Sequence, residues 1–337
     1  FPELDSFDAT ERSAEQLLEA ALAAEDAARA VPGITNSEGA EASWGRSAVA
    51  IAASNGFAAA YRRSWNSLSA SVLATGDGGM ERDYDYTAAV YAADLRAPEE
   101  VGRTAGERTM RRLNPRKAGS ARVPVIYEPR ASRSLVGHLA AAISGSAIAR
   151  GTSFLKDRMG ARLFAPGIQV IDDPLRPRGL KSRPVDHEGI ATARLAVVDD
   201  GVLSSWLLDL RSARQLGLAT TGHGLRGTSS PPSPGSSNLY LAPGPLSPGE
   251  LIGQVTQGLY VTELIGFGLN PVTGDYSRGA SGYWIENGEL AYPVNEITIA
   301  GNLVDMFANL ACADDLEFRY GTDAPTVRID GMTVAGQ

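Results

Sequence analysis

The sequence predicts an α+β protein with an N-terminal antiparallel sheet and helices, followed by a strand-rich C-terminal part built on a strongly curved, barrel-like sheet. Three observations carry this. Strand-like segments are joined by short turn dipeptides, which favours antiparallel hairpins over βαβ crossovers. Strand-like segments dominate the second part, which points to a strongly curved or barrel-like sheet. At 337 residues the chain exceeds the roughly 250–300 at which a single core stops growing, so two units are expected. The boundary falls in Asn114-Pro115-Arg116-Lys117-Ala118-Gly119-Ser120, giving residues 1–120 and 121–337.

In the first unit, residues 8–31 read as an Ala- and Glu-rich helix stopped by Pro32-Gly33. Strands at 47–54 and 57–65 flank Asn55-Gly56, and strands at 67–75 and 80–88 flank Gly-Asp-Gly-Gly. A helix opens at Ala97-Pro98 and runs to about Leu113, with acids in its first turn and Arg111-Arg112 in its last, as the helix dipole favours.

The second unit opens with a strand at 122–127 and a helix through 131–144. Strands at 191–198 and 202–208 flank Asp199-Asp200-Gly201, and a short helix follows near 212–216. Residues 222–248 are rich in Gly, Pro and Ser and form a loop or coil with little regular structure. Ser247-Pro248-Gly249-Glu250 caps a helix reaching about Gln257. Tyr283–Glu286 and Glu289–Tyr292 flank Asn287-Gly288, a type I′ turn signal. Pro293 ends the second strand or places it on an edge, and residues 296–299 form a further short strand. Asn302 caps a helix bearing Leu303, Met306, Phe307 and Leu310 on one face. The last expected hairpin pairs 326–329 with 332–334 across Asp330-Gly331.

Hydrophobic residues at 43% and charged residues at 21% describe an ordinary globular composition. The net charge of −8 argues against direct nucleic-acid or acidic-membrane binding. The single cysteine, Cys312, rules out an internal disulfide and fits a reducing compartment. No apolar run approaches about 18–20 residues, and no signal-peptide pattern opens the chain, so a cytoplasmic location is expected. There is no Gly-x-Ser-x-Gly elbow and no P-loop.

The segment Gly274–Leu303, GDYSRGASGYWIENGELAYPVNEITIAGNL, resembles a signature near the C-terminal end of the TldD/PmbA family. The resemblance extends to Asn36-Ser37-Glu38-Gly39, Met80-Glu81-Arg82-Asp83-Tyr84, Ser212-Ala213-Arg214 and Gly258–Leu264, and follows the PmbA (TldE) branch. Family members usually carry further α/β structure ahead of this resemblance. With Phe1 opening directly into a loop, about the first quarter of the natural protein is expected to be missing, leaving strand edges exposed.

The resemblance implies a metallopeptidase scaffold. TldD-type relatives carry HExxxH on a helix and a later cysteine; two imidazoles and a thiolate hold zinc, and the Glu serves as general base. Histidines five apart lie about 140° apart around an ideal helix, so the motif needs a distorted one. Placing Gly137-His138 on the family's closing Gly-His leaves Arg133 and Ser134 where the first His and the Glu would stand. Cys312 lies directly after the 303–310 helix, whereas the family's cysteine lies further on, where this chain reads Ala324-Pro325-Thr326-Val327-Arg328-Ile329. Cys312 and His138 therefore read as packed residues. His187 and His223 match no metal spacing, and a novel site from His138, His187 and His223 has no support in the pattern.

The expected function is a non-catalytic subunit with no metal or catalytic residue of its own. It would pair with a TldD-like, zinc-bearing subunit, or with itself, and hold unfolded peptides by adding them to a sheet edge. His223, Asp275, Tyr276, Arg278, Tyr283 and Trp284 are the candidates for peptide or interface surfaces, although Asp275, Tyr276, Ser277 and Arg278 read first as framework or subunit-contact residues. Two rivals stand beside this reading: a self-sufficient metallopeptidase using His138, and a non-proteolytic module binding DNA gyrase or a toxin–antitoxin pair.

Overall fold

In a computed structural model, which describes residues 2–54 and 56–336, the first helix starts where its cap chemistry begins. Ser13 Oγ accepts from the Gln16 N–H and the Gln16 side chain accepts from the Ser13 N–H, so α1 spans Ala14–Arg29 rather than starting near residue 8. The strands β1 (Ile34–Ala52), β2 (Ala58–Gly76) and β3 (Gly79–Ala89) form an antiparallel meander in that order. The two expected hairpins are thus one long-armed sheet sharing β2; Asn55, part of the first turn, lies outside the described residues. Alternate residues of β2 face inward, and Leu68, Ala70 and Val72 meet Ala24 and Ala28 of α1 and Val101 and Ala105 of α2 (Pro98–Arg111). The helices approach closely because Gly102 has no side chain: a Cβ there would lie 1.9 Å from Ala24 O.

Chain order in the second unit gives β4 (Ala121–Tyr127), α3 (Pro129–Ala142), α4 (Gly145–Ala149), β5 (Val170–Asp172), β6 (Leu195–Asp199), β7 (Val202–Leu203) and α5 (Leu210–Leu216). Then come β8 (Gly224–Leu225), β9 (Ser233–Pro234), β10 (Leu239–Leu241), α6 (Pro248–Gly253), β11 (Gln257–Ile265), β12 (Asp275–Glu286) and β13 (Glu289–Asn302). The chain closes with α7 (Leu303–Ala308), β14 (Leu310–Cys312), β15 (Thr322–Asp323) and β16 (Val327–Ala335). Strands β13-β12-β11-β4-β16 lie side by side, and Ile299 of β13 pairs with Val334 of β16. That last pairing closes a five-stranded barrel, which removes the edges an open sheet would expose. A second sheet, β15-β10-β5-β6-β7, stands beside it, and the core is shared between them.

Several sequence expectations change. Asp330-Gly331 makes no hairpin; β16 runs through it, with a bulge between Ile329 (opposite Val125) and Met332 (opposite Val123). Gly331 at φ 77° takes the extra residue's left-handed geometry, so a turn-like dipeptide serves here to curve a barrel strand. Pro293 does not end β13, which continues to Asn302 and absorbs the separate strand expected at 296–299; a register shift opposite Ala280–Gly282 and a positive φ of 50° at Glu296 interrupt it. The 222–248 coil contains the small β8–β9 pair and β10, so it is more structured than its composition suggested. Asn287-Gly288 matches the expected turn, with φ of 51° and 81°. Asn302 caps α7 by accepting from the Val304 N–H.

Candidate functional site

The strand-to-helix junction β4–α3 positions the site. Pro129 at the first helical position starts α3. Ala131, Leu135, Val136 and Leu139 bury one face in the barrel core, so Arg133, Ser134 and Gly137 look outward. These three line a cleft of about 470 Å³ together with Arg112, Arg130 and Arg278. Its floor crosses the seam between the two units: Arg130 donates to Asp83 at 2.7 Å, and Arg112 donates to Glu263 at 2.6 Å and lies 3.6 Å from Asp83. Arg130 also pairs with Glu128. Burial pushes the Glu128 carboxyl upward against the pull of Arg130. For Asp83 burial acts the same way, but the bonds and charge of Arg130 outweigh it and hold the group below the usual range.

The three positions mapped onto a metal motif do share α3, but their chemistry is not that of a metal site. The Arg133 guanidinium lies 4.3 Å from the Tyr320 ring centroid and offers no lone pair. Ser134 Oγ donates to Ala131 O at 2.6 Å. His138 packs edge-on to Tyr276 with ring centroids 6.0 Å apart, and its buried Nε2 has no hydrogen-bond partner among the described residues. Burial, with help from Arg278, lowers its pKa and favours the neutral ring. Cys312 is buried in β14 opposite Val327, where burial raises its thiol to about 12. Among the described residues no three of His, Cys, Asp and Glu gather where an ion could be held. A single imidazole without carboxylate or thiolate partners does not fit zinc.

The other candidates separate by burial. His223 is 1% exposed; its Nε2 lies 3.1 Å from Asp172 Oδ2 and its Nδ1 2.8 Å from Thr221 Oγ1, so it is an internal strut and presents no surface. Tyr276 and Trp284 are likewise buried in the barrel. Asp275 is exposed, but its carboxylate accepts from Thr273 and Asn302 at the mouth of a turn. Arg278 and Tyr283 do face cavities: Arg278 the cleft over α3, Tyr283 a neighbouring one of about 520 Å³ that also contains Arg108 and Tyr260. His187 accepts from the Arg226 N–H at 3.0 Å in a turn with Gly189 at φ 84°. It stands apart from the other two histidines as a loop anchor.

Sequence reasoning missed Asp83, Arg112 and Arg130 as a unit. Met80–Tyr84 had been marked by resemblance, yet nothing local says that Asp83 meets an arginine 47 residues later. Arg112 was read only as a helix-end cation.

Fold and cleft define an α+β protein with a three-stranded antiparallel sheet and a closed five-stranded barrel, in which α3 carries an arginine-lined cleft. Residues 120–336 match the family model described as the PmbA/TldA metallopeptidase C-terminal domain, and residues 7–113 match the corresponding central domain. The chain is 40% identical over 338 residues to the Metalloprotease PmbA of Escherichia coli O157:H7, covering 100% of this chain and 73% of that protein. A solved Bacteroides thetaiotaomicron protein, named as a candidate modulator of DNA gyrase, superposes with a TM-score of 0.91 at 29% identity, covering 100% of this chain and 75% of that one. TldE of Thermococcus kodakarensis shares the fold with a TM-score of 0.87 at 21% identity, over 97% and 75% of the two chains. The chain belongs to the PmbA/TldD family. The curated relatives it matches at 40% and 38% identity are named PmbA or PmbA homolog.

Proposed function

We propose that this chain is a non-catalytic subunit of a metallopeptidase, completing the peptide-handling chamber of a TldD-like partner that holds the zinc. The observation that supports this is the outward face of α3. A guanidinium and a backbone-bonded hydroxyl occupy the positions where the family's catalysts carry a histidine and a glutamate, and one half-buried histidine remains. Such a helix can shape and charge a cavity wall but cannot activate water. An extended peptide would be held through main-chain hydrogen bonds at a free sheet edge, and β1 and β3 are the outer strands of the three-stranded sheet. In this reading the chain is cytoplasmic. Among the described residues no helix is long and apolar enough to cross a membrane.

Co-expression with a TldD-like protein tests the reading. The expected result is a stable complex that cleaves unstructured peptides, loses activity when the partner's HExxxH is mutated, and keeps it in His138→Ala of this chain. Peptidase activity of this chain alone, abolished by His138→Ala and by chelation, would overturn the proposal in favour of a self-sufficient enzyme.

A further inference from the structure

The coil of residues 222–248 helps line a further cavity, of about 590 Å³, whose wall is cationic although the chain as a whole carries a charge of −8. Lys181, Arg183, Arg63 and Arg226 line it together with Ser233 and Ser236, and among the described residues no carboxylate does. Arg183 is the central observation. It is 5% exposed, its Nη2 donates to Gly235 O at 3.3 Å, and its buried Nε has no partner among the described residues. A guanidinium taken out of water with a donor left unused is unfavourable unless something else supplies the acceptor.

The nearby acids do not supply it. Asp172 accepts from the Ser237 N–H and Oγ and from His223, and Asp186 accepts from the N–H groups of Glu188, Ile190 and Gly224. Neither makes an ion pair with Arg183 among the described residues. Lys181 is bonded only to a neutral hydroxyl, Thr322 Oγ1 at 3.0 Å. Burial lowers the pKa of both Lys181 and Arg183. Asp172 and Asp323 act on Lys181, and Asp172 and Asp186 on Arg183, without forming an ion pair with either among the described residues, so an anion entering the cavity would meet cations whose donors no carboxylate has taken.

The cavity continues into a second one of about 650 Å³, with which it shares Arg63, His187 and Arg226. That neighbour has an apolar wall of Val49, Ile51 and Trp65 from the β1–β2 arm and Leu180, beside polar groups such as Ser47, Tyr61 and Ser64. A small inorganic anion has no use for this adjoining surface. A peptide terminus does, because its carboxylate and its last apolar side chain sit next to one another.

We propose that these joined cavities bind the free C-terminal carboxylate of a peptide, with Arg183 and Lys181 receiving the carboxylate and the β1–β2 arm covering the last apolar side chain. The proposal rests on the peptide-handling reading above and gives it a direction, since one end of the peptide is fixed. Its chemistry is bidentate guanidinium–carboxylate recognition.

The test uses the full chain and an N-terminally fluorescein-labelled hexapeptide ending in phenylalanine, prepared as free acid and as C-terminal amide, with binding read by anisotropy. The free acid is expected to bind about tenfold or more tightly than the amide, the range set by a charge-assisted hydrogen bond. Arg183→Gln and Lys181→Gln should each abolish most of that preference, and the second guards against a folding defect in the first. Inorganic phosphate should displace the acid. Equal affinity for acid and amide, or a preference kept in both variants, would overturn the site while leaving the peptide-handling reading intact. Phosphate binding with no binding of either peptide would overturn the peptide assignment. An acid preference in a chain whose complex with a TldD-like partner cleaves nothing would uphold the site and remove the functional reading instead.

Discussion

Arg130 donates through Nη1 to Asp83 Oδ1 at 2.7 Å, joining the barrel unit to the three-stranded sheet through side chains that are 9% and 3% exposed. Arg130 also pairs with Glu128, lies 5.2 Å from the Tyr84 ring centroid, and donates to Tyr84 O at 3.2 Å. Replacing Asp83 leaves a buried guanidinium short of charge, which typically costs about 3–5 kcal/mol. Asp83→Asn should therefore lower the urea midpoint sharply, and a change under about 0.5 kcal/mol would show that the pair is not holding the seam. The pH sign follows from a folded pKa below the ordinary value. The contribution is present above about pH 4 and is lost as acid titrates Asp83 below that.

His138 gives the opposite kind of titration. Burial and Arg278 hold its folded pKa below the ordinary 6.5, so the unfolded chain binds the proton more readily. Stability should be complete above about pH 6.5 and decline as pH falls below it. In His138→Leu that part of the slope between pH 7 and 5 should vanish, while the pH 8 stability changes little. A slope identical in both proteins would place the titration elsewhere.

Much of the architecture was legible because it is written locally. Asn302, Ser247 with Glu250 and Asn287-Gly288 each fix an element boundary through neighbouring residues and stand where expected, whereas the Ser13–Gln16 capping box sets a start for α1 that composition placed too early, near residue 8. Asp330-Gly331 misled because the same left-handed glycine serves a hairpin turn and a bulge; which one forms depends on β4 lying alongside, some 200 residues away in sequence. Pro293 misled for a similar reason. Its oxygen accepts from the Arg116 N–H, so the strand stays ordered where a donor is absent. The α3 substitutions were visible as residue types. The seam that gives them their surroundings, Asp83–Arg130 and Arg112–Glu263, was not, because ion pairs across units carry no periodicity.

The bulge offers a direct check of that account. Gly331 has φ 77°, and an added Cβ would come no closer than 3.6 Å to Arg122. Gly331→Ala therefore meets no clash, only the backbone preference, and should destabilise by about 1–2 kcal/mol. Gly102→Ala is a different case, since its Cβ would fall 1.9 Å from Ala24 O and force α1 and α2 apart. Overpacking of that kind costs about 1–3 kcal/mol or more. If Gly331→Ala proved the more damaging of the two, the bulge would be carrying more than local geometry.

Cys312 connects stability to the functional reading. Burial raises its thiol to about 12, so only about one part in ten thousand is thiolate at pH 8. Both zinc binding and disulfide exchange require the thiolate, and the native chain provides neither charge nor access. Labelling by an aromatic disulfide reagent at pH 8 should therefore be slow in native buffer and should accelerate with urea in step with unfolding. Added zinc should leave the native rate unchanged, because among the described residues no group of three His, Cys, Asp or Glu side chains gathers to hold the ion. Rapid labelling without denaturant, suppressed by stoichiometric zinc, would instead make Cys312 a ligand and return a metal to this chain.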